Sequence, residues 1–186
     1  PLMDFVQEKV IETATGNVGP HMYAYVMAGG NQMGIVAEKL AATINQNCAK
    51  WHLAPVINEM EKRIIQWTSE MVGFGSDTGG LLVASGSAAN FDGLTVARNI
   101  FFEKHGIRQK GMFNMKPFAV YCSDETHNCV DKTVEILGIG SQQLRRIPGN
   151  EDFTINLDAL KNQIAKDKKD GFTPFCLIGN AGTVNT

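Results

Sequence analysis

"LLVASGSAANFDGLTVARN", residues 81–99, is the stretch on which the reading of this chain turns. Leu81 to Ala84 have the length and content of a buried strand. The run stops at Ser85-Gly86-Ser87 and restarts at once as an amphipathic helical pattern. Such a turn is an ordinary connection or a cradle for an anion. Ser-Gly-Ser is a good turn and N-cap in its own right. It also gathers free N–H groups, two hydroxyls and the positive end of a helix dipole, which are the groups a phosphate needs. From the turn alone both readings stay open. Neither GxGxxG nor GxxxxGK[ST] is present, so the anion would not sit on a dinucleotide fingerprint or a P-loop.

Downstream, the same alternation continues. "PFAVYCS" precedes "HNCVDKTVEILG", "LRRIP" precedes "NLDALKNQIAKDKK", and "PFCLIGNAG" follows. Short apolar runs alternating with helical patterns signal βαβ units, and near-continuous apolar strands signal a parallel sheet covered on both faces. In such a sheet ligands bind beyond the carboxyl ends of the strands. Three turns should then share one edge: Ser85–Ser87, the turn after Ser123, and the turn holding Asn180, Gly182 and Thr183. His127 is expected to open the helix after Ser123, with Asp124 and Glu125 capping it. A lone histidine there is more commonly a cap or a surface residue; convergence with the other turns brings it into the candidate site.

Upstream, residues 1–75 read as a helical N-terminal arm, and residues 76–186 as the first part of an α/β domain. Met33, Val36, Ala37, Leu40 and Ile44 recur at helical spacing after Asn31, a plausible N-cap. Ile57, Met60, Ile64, Trp67 and Met71 repeat the pattern after Pro55, which suits a first helical turn, and Gly73 supplies a stop. Trp51 and Trp67 are expected to pack, and Met60 and Met71 to be core.

Composition narrows the classes. The 186 residues carry a net charge of −2 and 4 cysteines. That balance lacks the basic footprint of a nucleic-acid surface. Lys166, Lys168 and Lys169 read as a solvated helix end around Asp167. No apolar run approaches the ~20 residues of a membrane span, and the N-terminus lacks a signal-peptide pattern. The cysteines have neither CxxC spacing nor the density of a disulfide scaffold, which suits a cytoplasmic protein. His21, His52 and His105 have no ligand spacing, and no metal is expected. The first residue is Pro1 and the last stretch is "GNAGTVNT", which suggests a fragment.

Taken together, the turns resemble a known set. "ASGSAANFDGLTVARN" is similar to the "GGSEANLxALxxAR" signature of pyridoxal-phosphate-dependent group II amino-acid decarboxylases. "VYCSDETHNCVDKTVEILGIGSQQLRRIP" resembles their "SDxxHxSVxKAxxxLGxGxxxLRxIP", and "NAGTVNT" their "TAGTTxxG". Upstream, "GPHMYAYV" and "LAPVINEMEKRIIQW" resemble "HPxFxxYF" and "SPAxTELExxVxxW". The resemblance runs from Pro20 to the end and implies a fold type I, aspartate-aminotransferase-like large domain with a mainly parallel sheet, preceded by the arm.

It also implies roles. Ser85, Gly86 and Ser87 would hold the phosphate of pyridoxal 5'-phosphate. His127 would stack on its pyridine ring and serve catalysis, Thr183 would lie near the ring, and Tyr25 near the substrate. The reaction implied is loss of CO2 from an L-amino acid, in a homodimer whose arms wrap around the partner subunit. The Schiff-base lysine and the aspartate that pairs with the pyridinium nitrogen are expected beyond residue 186, so these residues alone should be inactive. The chain departs from the family pattern at Ala88 (Glu in the family), at Val184 (Thr) and at "YVMA", Tyr25–Ala28, where aromatic-amine-forming relatives have "YFPT". The alternatives are a non-catalytic phosphate-ligand-binding or assembly module, and a carbon–carbon lyase or aminotransferase on the same fold.

Overall fold

The computed structural model describes residues 1–183, which divide into two compact units, one from Pro1 to Ile64 and one from Ile65 onward. The first unit is helical, with α1 (Leu2–Val6), α2 (Gln32–Ile44) and the start of α3 (Pro55–Met71). Asn31 caps α2 as its spacing predicts, its side-chain oxygen accepting from the amides of Met33 at 2.8 Å and Gly34 at 3.2 Å. Pro55 is the first residue of α3, and Gly73, at φ +70°, follows its end in a conformation that costs a glycine little. The glycine- and aromatic-rich stretch before α2 stays irregular.

Helical spacing does not translate into burial here. On α2, Met33, Val36, Leu40 and Ile44 are all more than half exposed, and the helix buries no residue. The expectation that Trp51 and Trp67 pack, and that Met60 and Met71 are core, is wrong: all four lie mainly in solvent. The Trp51 indole instead donates to Glu59 Oε1 at 2.7 Å. An apolar stripe shows where a helix can be covered; burial also needs a surface to cover it.

The second unit is α/β. Strands β1 (Phe118–Ser123), β2 (Leu144–Ile147) and β3 (Thr173–Ile178) form a parallel sheet in the order β2-β1-β3. β1 and β2 lie within the runs that the sequence marks as strands, and β3 starts one residue before its run, at Thr173. Helices α4 (Gly86–Phe101), α5 (Ile107–Lys110), α6 (Cys129–Ile136) and α7 (Leu157–Lys169) complete the unit. The central strand is buried along its whole length, and its side chains alternate between two cores. Phe118 and Val120 join Leu94 and Phe102, from α4 and just beyond it, and Val134 of α6. Ala119 and Tyr121 join Ile147 and Leu160 of α7. The sheet therefore has α4 and α6 on one face and α7 on the other, as near-continuous apolar strands require.

One predicted strand is absent. Leu81–Ala84 has no ladder partner among the described residues, and Leu81 and Leu82 are mostly exposed. The run pairs with neither outer edge of the sheet, β2 or β3, and apolar content without a ladder partner leaves it as a loop.

Candidate functional site at the carboxyl edge of the sheet

The turn before α4 forms although the strand before it does not. Ser85 is the N-cap, with extended backbone, its Oγ accepting from the Ala88 amide at 3.2 Å and its carbonyl from Ala89 N at 3.0 Å. The amides of Gly86 and Ser87 are left over at the first turn of a 16-residue helix, and no acceptor faces them among the described residues. Ser85, Gly86 and Ser87 are exposed, and a Cβ built on Gly86 would meet nothing within 4 Å. This is an open helix N-terminus with two free N–H groups and the Ser87 hydroxyl.

His127 does not open α6, which begins at Cys129. His127 itself accepts the Cys129 amide on Nδ1 at 3.1 Å. An imidazole nitrogen that accepts an N–H carries no proton, so the neutral ring holds its hydrogen on Nε2. The ring is exposed, anchored at one nitrogen and open at the other.

Two side-chain hydrogen bonds join the three turns. Asn90, one turn into α4, donates to the Gly86 carbonyl at 2.8 Å and reaches Cys129 Sγ at 3.6 Å. The first turns of α4 and α6 are thereby side by side. Asn180, after β3, donates to Thr126 Oγ1 at 3.0 Å. The turn after β1 is thus linked to the start of α4 on one side and to the turn after β3 on the other. Thr183, half buried, instead lines a cavity of about 420 Å³ with Ser123, Thr154, Leu160 and Asn180, on the α7 side of the sheet; neither Ser87 nor His127 lines it. Tyr25 lies in the first unit, 84% exposed and with φ +65°. Val184 lies outside the described residues.

Residues that the sequence reading passed over hold this edge. Consecutive arginines on β2 point to opposite faces, as strand alternation demands. Arg145 turns to the α7 face, where its Nε donates to both Asp167 oxygens at 3.0 and 3.2 Å and its guanidinium lies 4.8 Å from the Phe172 ring. Asp167, read from sequence as part of a solvated helix end, is 2% exposed and also accepts from the Tyr121 hydroxyl at 2.9 Å. Burial, then the hydrogen bond and charge of Asp167, push the Tyr121 phenol well above its ordinary value, so it stays a neutral donor. Arg146 turns to the α6 face. Its Nη1 donates to the carbonyls of Ser123, Asp124 and Thr126 at 3.4, 3.1 and 3.1 Å, and its Nη2 to Asp131 at 2.6 Å. The doublet "RR" inside a strand was the available signal, since two adjacent cations on a covered sheet need an anionic partner on each face.

Burial raises the Cys122 and Cys176 thiols, which behave as small apolar groups. Among the described residues all 4 cysteines are free, no three His, Cys, Asp or Glu side chains are grouped as for a metal, and no helix is long and apolar enough to cross a membrane.

Residues 2–186 match the family described as the pyridoxal-dependent decarboxylase conserved domain. The chain belongs to this family. It is 35% identical over 184 residues to an aromatic-L-amino-acid decarboxylase of Bacillus atrophaeus, covering 99% of this chain and 36% of that protein. It is 29% identical to an L-2,4-diaminobutyrate decarboxylase of Acinetobacter baumannii, covering 89% of this chain and 35% of that protein. Among solved structures, the glutamate decarboxylase domain of a diaminobutyrate-pyruvate transaminase and L-2,4-diaminobutyrate decarboxylase from Vibrio parahaemolyticus superposes with a TM-score of 0.92 at 26% identity, over 98% of this chain and 41% of that one. Tryptophan decarboxylase of Catharanthus roseus, solved with L-tryptophan, superposes at 0.87 with 25% identity, over 98% of this chain and 39% of that one. The fold is therefore the fold type I architecture of these decarboxylases, and the chain spans about a third of the length of the curated relatives it matches.

Proposed function

We propose that this chain is the cofactor-binding part of a pyridoxal-phosphate-dependent enzyme that decarboxylates an L-amino acid to the amine. The observation that carries the reading is the joining of three polar turns at one sheet edge by the Asn90–Cys129 and Asn180–Thr126 hydrogen bonds, in a chain of this family. Residues 1–75 serve as the arm and residues 76–186 as the start of the cofactor domain.

The residues present fit the cofactor. A phosphate needs convergent donors and positive potential; the free amides of Gly86 and Ser87, the Ser87 hydroxyl and the α4 dipole supply them, with Ser85 spent on the cap. His127 would contact the ring and Thr183 would lie near it, with Tyr25 toward the substrate. When bound, the cofactor supplies an electron sink for the charge left as CO2 departs. The protein's own part is positional. The Cys129 amide fixes the His127 ring through Nδ1, leaving Nε2–H as a hydrogen-bond donor toward the reacting molecule. Asn90 keeps the phosphate turn and the histidine turn at a constant spacing.

The enzyme is read as a cytoplasmic homodimer. Free cysteines support the first point, and the exposed apolar face of α2, which a second copy would cover, supports the second. An aromatic and a diaminobutyrate decarboxylase are both among the relatives, and the departures at Ala88 and at Tyr25–Ala28 leave the amino acid open.

The test uses the full-length protein with pyridoxal 5'-phosphate and a panel of L-amino acids. Visible absorbance that borohydride traps on a lysine, with release of CO2 and amine, is the expected result. A protein that stays colourless and releases no CO2 refutes the reading, and aldehyde or keto acid in place of amine moves it to another reaction on the same fold.

A further inference from the structure

Arg146 is the most heavily committed side chain at the sheet edge. It stands on β2 opposite Cys122 of β1, next to the last residue of the central strand. From there its guanidinium takes three carbonyls of the turn that follows β1 and the carboxylate of Asp131 in the first turn of α6. The turn also carries its own bond from Thr126 N to the Ser123 carbonyl at 3.0 Å, and Asp124 N donates to the Ile147 carbonyl at 3.0 Å. His127 follows directly. Its backbone carbonyl accepts Val130 N at 3.2 Å and its Nδ1 accepts Cys129 N. The histidine is thus bounded by a turn and a helix start, and one planar cation bonds both.

We propose that Arg146, paired with Asp131, is a positioning residue for His127, an inference that rests on the assignment of His127 to the cofactor ring. The chemistry favours arginine over any other residue here. Carbonyl oxygens of a turn and a carboxylate on a neighbouring helix need several donors in a fixed plane, and only a guanidinium offers five. A lysine at this place reaches Asp131 or the carbonyls but not the whole set. The pair is partly exposed, its side chains at 31% and 35%, so it is not a core element on which the whole sheet depends. Its contacts are confined to the turn and the start of α6. Loosening it should move the ring while the sheet stays in register.

The experiment uses the full-length protein and the variants R146A, R146K, D131N, H127A and R146A/H127A. The first readout is independent of turnover: amide hydrogen exchange of the segment 123–129 in the cofactor-free protein. R146A should speed that exchange by about tenfold or more, with R146K and D131N in between, while the strands keep wild-type protection. The second readout is the visible circular dichroism of bound pyridoxal phosphate together with kcat and KM. Misplacing a group by about an ångström costs up to about 100-fold, so R146A should lower kcat by about 10- to 100-fold with KM changed less than about threefold. In the H127A background the same change should alter kcat by less than about twofold, because the residue through which Arg146 acts is gone.

Unchanged exchange in R146A overturns the inference. So does a full loss of kcat on adding R146A to H127A, which would make Arg146 a general support of the fold. If R146A does not fold, the graded exchange of R146K and D131N decides. If H127A keeps wild-type turnover and dichroism, the assignment of His127 fails, and the exchange rates still show whether Arg146 holds the turn.

Discussion

Replacing Asp167 by alanine tests whether the buried charge network on the α7 face holds that helix to the sheet. The carboxylate is 2% exposed and accepts from the Tyr121 hydroxyl and from Arg145 Nε through both oxygens. Removing one member of a buried pair costs about 3–5 kcal/mol, because the partner's charge is left without compensation. Arg145 keeps the Phe172 ring and the Gln142 carbonyl, and its side chain is 18% exposed, so water relieves part of the loss. The expected cost is therefore at the low end, about 3 kcal/mol. Tyr121→Phe alone should cost about 1 kcal/mol for the lost hydrogen bond. In the double variant the hydroxyl has already lost its acceptor, so the two effects should fall short of additive by about 1 kcal/mol. Urea unfolding of the cofactor-free protein, read as a shift in midpoint at constant slope, measures all three. The dependence on pH has a definite sign. Burial raises the Asp167 carboxyl, but hydrogen bonds from Gln163, Tyr121 and Arg145 outweigh it and leave it below its ordinary value. A carboxyl lowered on folding stabilises above its unfolded value of about 3.9 and loses that contribution as the pH falls through the folded one. The gap between wild type and Asp167→Asn should thus persist at neutral pH and close only below about pH 4. An Asp167→Ala cost under about 1 kcal/mol, or strict additivity with Tyr121→Phe, would refute the reasoning.

Further outcomes follow from single contacts. Ser87→Asp places a negative charge at the α4 N-terminus, so it should stabilise the cofactor-free protein by about 0.3–1 kcal/mol. The same variant should weaken pyridoxal phosphate binding by about tenfold or more, and opposite signs in thermal melting and cofactor titration would separate a phosphate site from a plain cap. Ser85→Ala removes the α4 N-cap bond and should lower stability by about 1 kcal/mol, read by the same urea titration. Gly138→Ala should destabilise by about 1 kcal/mol or more, since the glycine sits at φ +70° and the new Cβ would lie 3.2 Å from Met112 Cε. Leu40→Glu on the exposed face of α2 should weaken subunit association of the full-length protein, measured by sedimentation velocity; an unchanged dimer would show that this face is not covered by a second copy.

Much of this was legible in the sequence because it depends on near neighbours. The caps at Asn31 and Ser85, the proline that opens α3 and the periods that separate strand from helix all act within a few residues. The continuous apolar run of β1 likewise announced a strand covered on both faces. What depended on a distant partner was not legible. Leu81–Ala84 has strand composition, yet among the described residues no ladder reaches it. Asp167 looks like one charge among lysines until Tyr121 and Arg145 arrive from two strands. Asn90, Arg146 and Thr126 acquire their roles only when α4, β2 and β3 converge on the end of β1. Local sequence determined the elements, their caps and the polar turns that follow the strands. Tertiary structure decided which turns touch, which charges are buried and which guanidinium spans the turn before His127, because hydrogen bonds and desolvation depend on atoms brought together across the fold.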